Sequence, residues 1–190
     1  LGVHNILTLT GDKPDNGDHP FAQSVFEVDC MGLLNIANTL NAGKDLAGND
    51  LDAPTSFYIG ATGNPGAPDL EIERQKLAAK IQNGAHFVQT QPIYDLEQAK
   101  RYIDKMSEFD IPIMLGLIPL KSFKMATYLH EKVPGINLTQ EILDRMEKGG
   151  KEAGTEIAIE TLEQIKKIAA GVHIMPLNDI DTTLHIIDHV

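Results

Sequence analysis

Thr10-Gly11-Asp12, Asn64-Pro65, Gln89-Thr90-Gln91, Lys121-Ser122-Phe123 and Leu177-Asn178 all stand at or just beyond the end of an apolar run. Where such runs are strands of a parallel α/β fold, ligands bind at those ends, where strands stop and helices begin. One carboxylate, two glutamines, two asparagines, a lysine and an aromatic are then candidates for a single rim. These are groups that hydrogen-bond and orient. The chain has no Ser-His-Asp ordering, no His pair at metal spacing and no Gly-x-Gly-x-x-Gly fingerprint. Such a set suits a site that holds a cofactor which performs the chemistry itself.

The elements that must position these residues follow one rhythm. Strand-like runs are expected at residues 4–10, 56–61, 86–91, 112–118 and 172–176. Helical spacing is expected between and after them, over about 25–40, 70–83, 96–108 and 122–131, then separately over 139–147 and 152–169, with a last helix from Asp179. Asp69 and Asp95 are placed to cap helix starts, and Gly43 and Gly84 to end helices. Five β-α units in succession imply a parallel sheet with helices outside it. An open doubly wound sheet and part of a (β/α)₈ TIM-type barrel both fit. The barrel requires about three further units upstream.

The 190 residues are enough for one domain, and 42% hydrophobic with 23% charged is a globular balance. With 16 basic against 27 acidic residues the net charge is −11, which makes nucleic acid an unexpected partner. No apolar stretch approaches the roughly 20 residues of a membrane span, and no signal peptide opens the chain. A cytoplasmic location is expected. The one cysteine, Cys30, rules out an internal disulfide and reads as a small buried residue. No metal site is expected. The acidic run Glu71-Ile72-Glu73 reads as a solvated helix face.

A resemblance adds to this reading. Leu7 to Asp12 followed by Val25 to Leu34, Ile59-Gly60-Ala61 with Asn64-Pro65, and Gly84 to Asp95 resemble, in order, segments of the methylenetetrahydrofolate reductase family. Gly116 to Leu120 with Ser122-Phe123, and then Met175-Pro176, complete the series. The segment Thr90-Gln91-Pro92-Ile93-Tyr94-Asp95 is its most specific part. The likeness is greatest to the branch often fused to a homocysteine methyltransferase domain. It implies that this chain is a single partial catalytic domain over residues 1–190, the fourth to eighth units of the barrel. It also implies a flavin, FAD with FMN as the alternative, and NADH or NADPH as donor to a folate substrate. A fused or associated methyltransferase and a homo-oligomer are further expectations.

The same resemblance assigns roles. Asp12 matches the catalytic aspartate near the flavin and the pterin, and Gln91 the glutamine that bonds the pterin. Phe123 matches the aromatic that packs on folate or nicotinamide. Thr10, Gly11, Phe26, Asn64 and Lys80 match flavin-lining positions, Lys80 as a phosphate partner. The family's general-acid glutamate lies on its first strand, and no residue here corresponds to it. General acids contribute about 10²–10⁴ in rate, so the isolated chain is expected to be impaired. A non-catalytic flavin- or folate-binding module is the alternative. Because the chain opens on Leu1 rather than methionine, a fragment boundary is expected there. Changing Asp12 to Asn should shift the flavin reduction potential and slow folate reduction. Potentiometric titration and steady-state rates that both stay unchanged would remove Asp12 from the site.

Overall fold

The computed structural model describes residues 2–11, 13–14 and 18–189. Its elements alternate as β1 Asn5–Thr8, α1 Cys30–Asn41, β2 Tyr58–Gly63, α2 Leu70–Gln82, β3 Phe87–Pro92, α3 Leu96–Met106 and β4 Ile113–Leu117. Then come α4 Phe123–Lys132, α5 Gln140–Ile165, β5 Gly171–Ile174 and α6 Ile180–Asp188. This is the α/β succession that the hydrophobic pattern implies, with strands pairing in parallel. One helix start differs markedly from expectation. The first helix starts at Cys30, not Val25, because the Asp29 carboxylate accepts the Gly32 N–H at 2.8 Å and caps it there. Within Gln140–Ile165 two helices meet, as expected, at Gly150 (φ 53°, ψ −130°), a non-helical conformation that glycine adopts without a Cβ penalty.

The chain forms two compact units. The first runs to Thr62 and resumes over Leu77–Phe87. In it β1 pairs with β2 in register from Asn5↔Tyr58 to Thr8↔Ala61. The buried Thr8 hydroxyl donates to the Gly60 carbonyl at 2.9 Å, fastening the two strands with a side chain as well as the backbone ladder. Leu34, Ile59, Ala61 and Leu77 supply buried apolar surface. The return from α1 to β2 is held by Asn41. Its Oδ1 accepts from the Thr55 hydroxyl at 2.7 Å and the Phe57 N–H at 2.8 Å, and its amide donates to the Phe57 carbonyl at 2.8 Å. Gly43 and Gly84 both take positive φ, as helix-ending residues do.

The second unit takes Gly63–Lys76 and everything from Val88. Here β3 pairs with β4 and β4 with β5. Leu117 and Leu120 meet Ala126, Met146, Ile157, Leu162 and Ile186 of the helices in one buried cluster. Asp95 caps α3 by accepting the Glu97 and Gln98 N–H groups. Along β3 the buried residues Val88, Thr90 and Pro92 alternate with the more open Gln89 and Gln91. The α5 helix approaches the loop after β4 so closely that a Cβ on Gly154 would lie 1.8 Å from the Leu120 carbonyl oxygen. Gly154→Ala must therefore push helix and loop apart, at a cost on the order of 1–3 kcal/mol. Urea unfolding should show the lower midpoint, and an unchanged midpoint would contradict the close approach.

Candidate functional site

In the first unit, Thr10 and Gly11 follow β1 and are exposed. The Thr10 hydroxyl oxygen accepts the Cys30 N–H at 3.1 Å, tying the strand's exit to the first turn of α1. Open space surrounds the Gly11 Cα, where an added Cβ would meet nothing within 4 Å. Lys80 reaches back along α2 to donate to the Thr62 carbonyl at 2.6 Å, at the end of β2. That bond uses one ammonium proton and leaves two for an anion such as a phosphate. This donor set fits a dinucleotide's pyrophosphate. Phe26 lies in the irregular segment before α1 and is exposed. Asp12 lies outside the described residues.

In the second unit, Asn64 organises the loop after β2. Its Oδ1 accepts the Gly66 N–H at 3.0 Å, and its own N–H donates to Glu73 Oε1 at 2.9 Å. Glu73 is buried, 5% exposed, so the reading of the 71–73 run as a solvated face fails at this position. One turn before the buried Leu77, Glu73 points inward, while Glu71 pairs outward with Arg74 and Lys105. Residue type masked what the i, i+4 spacing from Leu77 could have revealed. The phenol of Tyr102 is buried and has no hydrogen-bond partner among the described residues. Burial, with the Glu73 charge nearby, pushes that phenol well above its ordinary pKa.

Gln91 is exposed at the C-terminal end of β3. Its backbone is set by a register shift between Gln89 and Pro92. The buried Thr90 hydroxyl satisfies the bulge, accepting the Gly116 N–H at 3.0 Å and donating to the Gln91 carbonyl at 2.8 Å. Gly116 is required opposite, because a Cβ there would fall 2.4 Å from the Thr90 carbonyl. A strand threonine carries no distinctive signal in the sequence, so this role of Thr90 emerges only from the fold. Phe123, 40% exposed, opens α4 immediately after its cap Ser122.

The next rim loop is held by two lysines. Lys121 donates to the Leu177 carbonyl, and Lys151 lies 2.8 Å from the Asp179 carboxylate, which also accepts the Thr182 N–H. Leu177 (φ 46°) and Asn178 (φ 67°) are consecutive left-handed residues, a conformation that costs a side-chain-bearing residue about 1 kcal/mol or more. Both tethers oppose its release. Among the described residues no cluster of three His, Cys, Asp or Glu could hold a metal ion, and no helix is long and apolar enough to cross a membrane.

The family model described as "Methylenetetrahydrofolate reductase" matches residues 1–190. The chain is 27% identical over 183 residues to "Methylenetetrahydrofolate reductase 1" of Schizosaccharomyces pombe, covering 90% of this chain and 28% of that protein. It is 25% identical over 188 residues to "Probable methylenetetrahydrofolate reductase (NADPH)" of Caenorhabditis elegans, covering 94% and 26%. It is 25% identical over 173 residues to "5,10-methylenetetrahydrofolate reductase" of Salmonella typhimurium, covering 87% and 53%. The chain thus spans between a quarter and about half of the length of these relatives.

The Asp179 tether has a pH signature. The Lys151 ammonium, and next the bond from Thr182, hold the Asp179 carboxyl down at about 2. An unfolded Asp titrates near about 3.9. Its stabilising contribution is therefore present above that value and lost as pH falls from there through about 2. Comparison of the chain with its Lys151→Met variant should show that the variant loses less stability over this window in denaturant titrations. Identical acid profiles would mean that the pair contributes nothing.

Proposed function

The chain belongs to the methylenetetrahydrofolate reductase family, and on that footing we propose that it is the flavin- and folate-binding part of a 5,10-methylenetetrahydrofolate reductase. The observation that carries the reading is the presentation of Gln91, an exposed amide at the end of β3 anchored by the buried hydroxyl of Thr90. An amide offers donors and an acceptor together, which a pterin's mixed edge requires. Phe123, the first residue of α4 in the unit that follows β4, offers a partly open aromatic face against which a flat ring can pack. We read the five β-α units as the fourth to eighth of a (β/α)₈ barrel, a reading that rests on the family resemblance.

A bound flavin, FAD in this reading, would supply the relay that passes a hydride from a nicotinamide donor to the methylene carbon of the folate. The chain's own residues bind and orient. Lys80 offers its remaining protons to the pyrophosphate. Thr10 and Gly11 hold the end of β1 open for a ring system, and Asn64 shapes the loop after β2. Asp12 is assigned to the electrostatic control of flavin and pterin, since a carboxylate disfavours a nearby anion and favours a cationic folate. NADPH, named for the Caenorhabditis elegans relative, is the donor proposed here.

Visible absorbance of the purified chain after incubation with FAD and removal of excess tests the reading. A perturbed flavin spectrum is expected, and Lys80→Met should weaken uptake about tenfold, as loss of one charge-assisted contact does. A folded protein, by circular dichroism, that takes up no flavin would overturn the proposal.

A further inference from the structure

Two histidines stand at the end of the last helix, and neither belongs to the flavin or folate assignments. His185 lies in the last turn of α6, and His189 caps the helix four residues on. The expectation that no histidine pair stands at metal spacing is corrected here, because a helix brings side chains at i and i+4 onto one face. Zinc motifs place two histidine ligands on one helix at this same spacing. The two ring centroids are 4.2 Å apart, with the planes tilted by 53°. A cation about 2.0–2.1 Å from one nitrogen of each ring needs rotation about side-chain bonds and no shift of the helix.

One hydrogen bond prepares the pair. His189 Nδ1 stands 2.7 Å from the His185 carbonyl oxygen. A carbonyl only accepts, so Nδ1 carries the proton, and the neutral ring keeps its lone pair on Nε2. Metal-ligating histidines are commonly held in this way, with the other ring N–H given to a main-chain carbonyl. Both histidines are exposed, so a cation can reach them without breaking any packing.

The surroundings are anionic. Asp181 stands one turn before His185, and both line a groove of about 470 Å³ together with Glu152 and Glu156 of α5. Lys151, on the same stretch of α5, is engaged by Asp179 at 2.8 Å, while Glu156 is shared with Arg145 at 3.8 Å. Carboxylates raise the local concentration of a divalent cation. Imidazole nitrogens select late first-row metals over Mg²⁺ or Ca²⁺. Among the described residues no third side chain completes the set, so water fills the remaining positions.

We propose that His185 and His189 form a two-histidine site for a late first-row divalent cation such as Zn²⁺, which clamps the last turn of α6. The pair needs neither flavin nor folate. A histidine near a helix C-terminus also favours the helix dipole, but that role requires one ring and no metal.

The test titrates Zn²⁺ into the full chain by isothermal calorimetry in a non-chelating buffer at neutral pH. One-to-one binding is expected. His185→Gln and His189→Gln should each bind at least about tenfold more weakly, because a chelate loses its second, intramolecular bond. His19→Gln, at an exposed histidine elsewhere in the chain, should bind as the parent does. In ¹H–¹⁵N spectra of the parent, the His189 Nε2 resonance should move on zinc addition while Nδ1 keeps its proton, which capping alone would not produce. Parent-like affinity in either α6 variant, an unmoved Nε2 resonance, or an equal loss in His19→Gln overturns the site. Should a variant lose helix by circular dichroism, the resonance shift in the parent decides.

Discussion

Every strand here pairs in parallel, and parallel pairing obliges the chain to cross back before the next strand can begin. In this chain each crossover carries a helix, and that constraint sorts the side chains. Residues facing the helices become core, and residues on the opposite face and at strand exits are left to do something else. In β3, Val88, Thr90 and Pro92 are buried while Gln89 and Gln91 stay open. Polar candidates gather at strand ends because the backbone leaves them nowhere to be buried.

The strand exits are held by short polar tethers more than by apolar packing. Thr10 binds the first turn of α1, Lys80 the end of β2, Asn64 the turn after it, and Lys121 the loop beyond β5. Each ties a loop to a neighbouring element through a main-chain group. Loops so held are set in advance of any ligand, which lowers the entropy a ligand must overcome on binding. The bulge at Thr90 is the most buried of these devices. A hydroxyl at low dielectric satisfies both the strand's displaced carbonyl and the amide of Gly116, groups that would otherwise be buried without partners.

Glu73 and Tyr102 show a cost of the same packing. A buried carboxylate accepts the Asn64 backbone N–H, and near it a phenol carries no partner among the described residues. A hydroxyl left unsatisfied in the interior destabilises by about 1–3 kcal/mol. The second unit bears that cost beside the loop that carries a candidate cofactor residue, which is where local strain and imperfect satisfaction tend to concentrate.

Much of this protein was legible before any coordinates. Hydrophobic period located all five strands and the helices between them, because burial on a sheet face or a helix stripe must repeat with the element's own geometry. Asp95 and Asp179 announced helix starts, and Gly43 and Gly84 helix ends, because caps depend on local chemistry. The family was legible too, through ordered segments that the full-length match bears out. What only the tertiary structure decided was environment. Residue type does not distinguish Glu73 from Glu71, yet one is buried beneath a loop and the other pairs at the surface. Val25 and Val28 fit a helical period, but the Asp29 cap sets the N-terminus at Cys30, five residues after Val25. Thr90 and Gly116 acquire meaning from strands that are distant in sequence, since a register shift exists only once the strands have paired.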